Sequence, residues 1–251
     1  MGMRWMRWKF LSALILAAIT IAAAQAATIT VGPEGCDYVS IQEAVEDANP
    51  GDTINVLSGT YRENVVVDKS VVLRGKDSGS EKPVLDGKGV GSTLTLFADE
   101  ITLEGFVVKN AGFGKAGIEI KSNKNRIRNN LVTGNKWYGI SLSDSDENII
   151  FGNVVCKNKY GIWIDAESDG NRITQNEFSN NANENAVDAG ANHWENNVYD
   201  DLEEGVESYR ISGGANVDDD PKAPEFETTG NDAESSTITV KITIPTPIIG
   251  S

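Results

Sequence analysis

A hexapeptide recurs along this chain with a period that few folds can accommodate. Asn125-Arg126-Ile127-Arg128-Asn129-Asn130 returns 23 residues later as Asn148-Ile149-Ile150-Phe151-Gly152-Asn153, and after another 23 as Asn171-Arg172-Ile173-Thr174-Gln175-Asn176. A fourth copy, Asn192 to Asn197, follows after 21 residues, and Ile101 to Phe106 is an earlier relative. Between the copies lies a second motif: Gly117-Ile118-Glu119-Ile120, Gly139-Ile140-Ser141-Leu142 and Gly161-Ile162-Trp163-Ile164, with Thr93 to Leu96 as an earlier form. Each alternates apolar with polar residues, the pattern of a strand with one buried face.

Strands this short, separated by Asn, Gly and Asp turns, cannot bury a face alone. Stacked coil upon coil at about 4.8 Å, they pair their backbones and align equivalent side chains in columns. The expected inward columns are Leu103, Ile127, Ile150, Ile173, Trp194; Val108, Val132, Val155, Phe178, Tyr199; and Ile118, Ile140, Ile162 with Ile120, Leu142, Ile164. All are apolar, which predicts an all-β, three-sheet solenoid: a single-stranded right-handed parallel β-helix with about 22–23 residues per coil. Two asparagine columns, Asn130, Asn153, Asn176, Asn197 and Asn135, Asn158, Asn181, read as structural. Asparagine tolerates the left-handed backbone of sharp turns, and stacked asparagines can bond between coils.

Open solenoid ends need covers. Ser40-Ile41-Gln42-Glu43 reads as a capping box, and Ile41, Ala44, Val45 and Ala48 follow at helical spacing, predicting a short amphipathic helix over the first coil. The expected organisation is an export signal at 1–26, the β-helix at 27–200, and an acidic segment at 201–251 that includes a linker over 225–236 and one alternating strand at 237–244.

The signal reading rests on Arg4, Arg7 and Lys9, a fifteen-residue apolar run from Phe10 to Ala24, and the small-x-small site Ala24-Gln25-Ala26. The run is short for a bilayer span, and no later segment approaches that length, so the processed chain is expected to be secreted or surface-located without a membrane span. Losing three cations leaves 19 basic against 37 acidic side chains and takes the net charge from −15 to −18. That balance excludes nucleic acid as a partner class and disfavours anionic membrane. Cys36 and Cys156 could form one disulfide but no framework, and no Asn-x-Ser/Thr sequon occurs.

Thr28 to Val31, Tyr38 to Ala44, Pro50 to Ile54, Gly59-Thr60-Tyr61-Arg62-Glu63-Asn64-Val65 and Leu85-Asp86-Gly87 together resemble the opening of pectin-lyase-like β-helix proteins. The later Asn-rich coils resemble the NosD-type repeat, named for periplasmic copper-binding proteins and common in surface proteins of methanogenic archaea. The resemblance spans residues 28 to 200 and speaks to fold, because the repeated motif is the scaffold itself. It implies copper, yet copper sites use His, Met or Cys, and beyond the signal only His193, Cys36 and Cys156 remain. Pectin methylesterases open with a segment similar to Gly59 to Glu63, but the paired aspartates and arginine of their later motifs are not found. Trp163-Ile164-Asp165 is similar to the Trp-Ile-Asp-His strand of calcium-dependent pectate lyases, with Ala166 in place of the histidine.

The aromatic residues offer a stronger lead. Tyr138 and Tyr160 precede the glycine of successive coils, Trp137 adjoins Tyr138, and Trp163 should project from the same sheet. Sugar rings pack their C–H faces on such a platform, with Lys136, Lys159, Ser141 and Glu119 placed to bond hydroxyls. Acidic turns stack too, and the oxygens of Asp144, Asp146, Glu167 and Asp169 would suit calcium, although a solvated acidic face is the default reading. The expected function is therefore a non-enzymatic secreted or cell-surface β-helix that binds a polysaccharide or another envelope component. The alternative is a polysaccharide lyase or glycoside hydrolase using Asp144, Asp146 or Asp165 with Arg126 or Arg172, which would require carboxylates converging in one groove. A third reading is a structural surface-layer module assembling through the 237–244 strand.

Overall fold

The computed structural model describes residues 26–77 and 81–224. The greater part of the expected signal, the 225–236 linker and the 237–244 strand lie outside the described residues. The chain winds into a right-handed parallel β-helix of three sheets. Sheet 1 contains eight stacked parallel strands from Thr28–Val31 to His193–Glu195, sheet 2 runs from Thr60–Tyr61 to Val198–Tyr199, and sheet 3 from Val65–Val67 to Glu184–Asp188.

The columns expected from the period are the observed ones. Leu103, Ile127, Ile150, Ile173 and Trp194 are register partners in sheet 1. Val108, Val132, Val155, Phe178 and Tyr199 follow in sheet 2, and Ile118, Ile140, Ile162 with Ile120, Leu142, Ile164 in sheet 3. All are at most 2% exposed, and each such side chain removed from water contributes about 1.5–3 kcal/mol. The next coil breaks the pattern: sheet 3 ends on Ala186 and Asp188. Asp188, though inward and buried, accepts from the Trp194 indole at 2.8 Å and the Asn192 amide at 2.8 Å.

The asparagine ladders are hydrogen-bonded throughout. Asn130 donates from both its backbone N–H and its Nδ2 to Oδ1 of Asn153, each at 3.0 Å, while Asn153 Nδ2 reaches back to the Ile127 carbonyl at 2.8 Å. A third ladder, Asn125, Asn148, Asn171 and Asn192, repeats this scheme. The expected left-handed backbone falls one residue earlier than the ladder, at Asn129, Gly152, Gln175 and Asn196. Division of labour explains this: one residue makes the turn and the next saturates the buried amides that the turn leaves.

The capping helix spans Ile41–Asp47 and buries Ile41, Ala44 and Val45 over the first coil. Ser40 Oγ accepts from the Glu43 N–H at 3.3 Å. The carboxylate half of the cap comes from Glu63 rather than Glu43: it accepts from Ser40 Oγ, Ile41 N–H and Gln42 N–H at 2.8–3.1 Å. Gly59-Thr60-Tyr61-Arg62-Glu63 is thus a brace between coil and cap. At the other end, Tyr209–Arg210 and Val217–Asp218 pair antiparallel and extend sheet 1 below Trp194.

Candidate functional site

Because every coil repeats the same three strands, its turns gather into edges running along the axis. The turns from sheet 2 to sheet 3 occupy residues 62–64, 87–93, 110–115, 134–137, 157–159 and 180–183. They carry the cations Arg62, Lys88, Lys115, Lys136, Lys157 and Lys159 and a single acid, Glu63, already engaged on the helix cap. The turns from sheet 3 to sheet 1 are mixed nearer the capping helix, with Asp68 and Lys69, then Asp99 and Glu100, then Lys121 and Lys124, and become acidic beyond them. On two successive coils, residues 143–148 and 165–171, they present Asp144, Asp146, Glu147, Asp165, Glu167 and Asp169 and no cation.

The aromatic platform forms on the first of these edges and on the adjoining outer face of sheet 3. Register places Tyr138 beside Tyr160 and Ser141 beside Trp163. The rings of Tyr138 and Tyr160 lie 5.7 Å apart, Tyr138 and Trp163 5.5 Å, and Trp137 and Tyr160 6.2 Å. All four are partly exposed. Phe113, which no repeat pointed to, joins them from the preceding coil: it packs edge-on against Trp137 at 4.4 Å and is 76% exposed. Its only sequence signal was a large apolar side chain between two turn glycines. The platform thus spans three coils, spacings at which rings attract one another and leave faces for a ligand.

The polar neighbours divide. Lys159 Nζ lies 3.3 Å from the Trp137 ring centroid, a cation–π contact. Asn183, not singled out from sequence, donates to the Tyr160 hydroxyl at 3.0 Å. Ser141 is buried. Glu119 accepts from Ser92 at 2.8 Å and pairs with Lys121 at 3.1 Å; burial alone would push its carboxyl up, but these two partners hold it below the ordinary value. Lys136 makes no ion pair among the described residues and, with Arg62, Lys88, Asp86 and Asn110, lines a groove of about 550 Å³. Burial raises the Asp86 carboxyl, and the Asn110 amide, the Lys88 N–H, Lys109 and Arg62 together bring it below its usual value.

The residues considered for catalysis are not gathered into a groove. Arg126 and Arg172 share an outward column of sheet 1, two coils apart with Ile149 between them. Asp146 and Asp169 serve the backbone: Asp146 accepts from the Asp169 N–H at 2.8 Å and Asp169 from the Ala191 N–H at 2.7 Å. Asp165 accepts from Ser168 Oγ at 2.6 Å, and Asp144 and Glu167 point to solvent on exposed turns. Among the described residues no group of three or more His, Cys, Asp or Glu could hold a metal ion, and Cys36 and Cys156 are separate thiols.

The family model described as periplasmic copper-binding protein (NosD) matches residues 17–212. A cell surface glycoprotein of the archaeon Methanothermus fervidus is 34% identical over 110 residues, which is 41% of this chain and 18% of the glycoprotein, so the chain spans under a fifth of that relative. Among solved structures, an alginate lyase from Paenibacillus sp. superposes with a TM-score of 0.57 at 20% identity, covering 69% of this chain and 66% of the enzyme. That likeness shows the pectin-lyase-like fold. A pectin methylesterase from Aspergillus niger aligns more loosely, with a TM-score of 0.46 at 13% identity over 88% of this chain and 93% of the enzyme. The copper in the family description does not fit the described residues: His193 is exposed on sheet 1 beside Glu195 at 3.4 Å, Cys156 lies on sheet 2 and Cys36 near the capping helix. Among the described residues no soft-ligand set converges.

Proposed function

The chain belongs to the NosD family, and from that premise we propose that it is a cell-surface or extracellular β-helix that binds an envelope carbohydrate on the outer face of sheet 3. The observation that carries this reading is the contiguous cluster of the exposed Phe113 and the half-buried Trp137, Tyr138, Tyr160 and Trp163 across three coils. A soluble fold places such rings outward at a cost in solubility, and a pyranose ring is the ligand whose flat C–H face and equatorial hydroxyls match aromatic faces flanked by Asn183 and Lys136. Its similarity to an archaeal cell surface glycoprotein supports the location. Parallel rows of carboxylates without a convergent base favour binding over cleavage.

A glycan array probed with the processed protein, scoring retained ligand and released product together, tests this. The expected result is retention without cleavage, abolished by Trp163→Ala with Tyr160→Ala. Product release would replace the reading with an enzymatic one, and silence in both channels would leave a structural role.

A further inference from the structure

Over the two coils that carry turns 134–137 with 143–148 and 157–159 with 165–171, the edges that border sheet 3 are oppositely charged and share one repeat. Coil by coil, the cationic turn 134–137 belongs to the same circuit as the acidic turn 143–148, and 157–159 to the same circuit as 165–171. On these two coils each edge carries its charges with the spacing of the coils, about 4.8 Å. The intervening strand is five residues long, Tyr138–Leu142 or Tyr160–Ile164, which separates the rows by about 16 Å of extended chain. Within one molecule the rows are held apart on opposite sides of a rigid sheet.

Neither row is closed by short internal ion pairs, although Arg62 acts on Asp86 and Lys115 on Glu119. Arg62, Lys88, Lys115, Lys136 and Lys157 form no ion pair among the described residues, nor do Asp144, Glu147 and Glu167. The shapes differ as well. The cations flank a groove, whereas the acids stand on exposed turns in which Asp144 and Glu147 adopt positive φ.

We infer that the partner of each row is the other row on a second copy of this chain. Copies set side by side with parallel axes place the acidic turns of one against the lysine turns of the next, in matching register. The contact is heterologous and does not close, so it builds an open lateral series rather than a dimer. The outer face of sheet 3 lies between the two contacts and remains exposed in every member. A chain carrying net charge −15 repels its own kind at long range, so association depends on the complementary rows meeting and is sensitive to salt.

Sedimentation velocity of the processed protein over a concentration series, at about 0.05 M and about 0.5 M salt, reads this directly. Expected are species larger than the monomer at the lower salt and monomer at the higher. Lys136→Glu with Lys157→Glu weakens association about a hundredfold, as does Asp144→Lys with Glu147→Lys and Glu167→Lys. Mixing the two variants restores association, because each native row then meets a native partner and each reversed row a reversed one, a result that misfolding cannot imitate. A wild-type protein that stays monomeric at the lower salt overturns the inference, and so does association indifferent to either reversal. A monomer whose lysine variant instead loses binding to a galacturonate hexamer also overturns it and makes that edge a polyanion site.

Discussion

Between Gly134 and Lys159 the turns leaving sheet 2 present lysines and aromatic rings; between Ser143 and Asn171 the turns leaving sheet 3 present six carboxylates. Both edges are built by one device. Asn135 and Asn158 form the ladder beneath the first, and Asn148 and Asn171 the ladder beneath the second, each amide donating to the next coil and reaching back to the last. The difference lies in what stands outside the ladder. A scaffold whose turns are stabilised from within leaves its outward turn residues free to vary, and here they have diverged into a cationic, ring-bearing edge and an anionic one.

If the ladders are equivalent, breaking them costs the same on both sides, and this is the largest effect expected. Asn158→Ala leaves the backbone N–H of Asn135 and one of its two Nδ2 protons without an acceptor, the other still reaching back to the Val108 carbonyl, and Asn171→Ala does the same to Asn148, whose Nδ2 keeps the Ser122 carbonyl. Two orphaned buried donors cost about 2–6 kcal/mol, so urea denaturation should show both variants strongly and similarly destabilised. A much smaller loss on one side would show that its edge is held by other contacts.

Glycine replacement sharpens the contrast. A Cβ at Gly139, where the cationic edge enters sheet 3, would meet the Gly161 carbonyl oxygen and Val155 Cγ1 at 2.6 Å. Gly139→Ala should cost about 1–3 kcal/mol through overpacking. Gly170 on the acidic edge has φ +67 and only Glu147 Cγ, at 3.8 Å, near such a Cβ, so Gly170→Ala should cost about 1 kcal/mol from backbone strain alone. Thermal melts of the pair check the order.

The ring cluster should matter for binding more than for folding. Trp137→Ala removes the partner of Phe113 and Lys159 and should lower stability by about 1 kcal/mol while weakening glycan retention at least about tenfold. Asp169→Ala, its counterpart across the sheet, should lower stability by about 0.5–1 kcal/mol through the freed Ala191 N–H and leave retention unchanged. Equal binding losses would place the ligand across both edges.

The smallest effect is in acid. The folded state holds the Asp86 carboxyl below its usual 3.8, so its contribution is present above that value and is lost as pH falls through the lower folded value. Asp86→Asn should flatten the stability profile below about pH 4, measured by denaturant midpoint against pH; an unchanged slope would mean that the cations around it exert no net pull.

The solenoid was legible because its determinants are periodic. A stacked coil has one inward position per pleat, and an apolar residue recurring every 23 positions can satisfy only one register. Leu103 to Trp194 and Val108 to Tyr199 could therefore be aligned from sequence. Tyr138, Tyr160 and Trp163 were equally readable, since they ride on that period. Phe113 and Asn183 were not, because they lie in turns whose lengths vary and only the stacked coil brings them to Trp137 and Tyr160.

What the sequence by itself determined is the period, the inward columns and the identity of the outward residues, all consequences of two-residue alternation within a fixed repeat. Only the tertiary structure decided which residues meet across coils: Glu63 rather than Glu43 on the helix cap, Asn129 rather than Asn130 in the left-handed turn, and six cations brought to one edge from turns scattered over a hundred residues. The physical reason is that alternation specifies direction, inward or outward, whereas adjacency depends on the accumulated length of every coil between two residues, which no local pattern encodes.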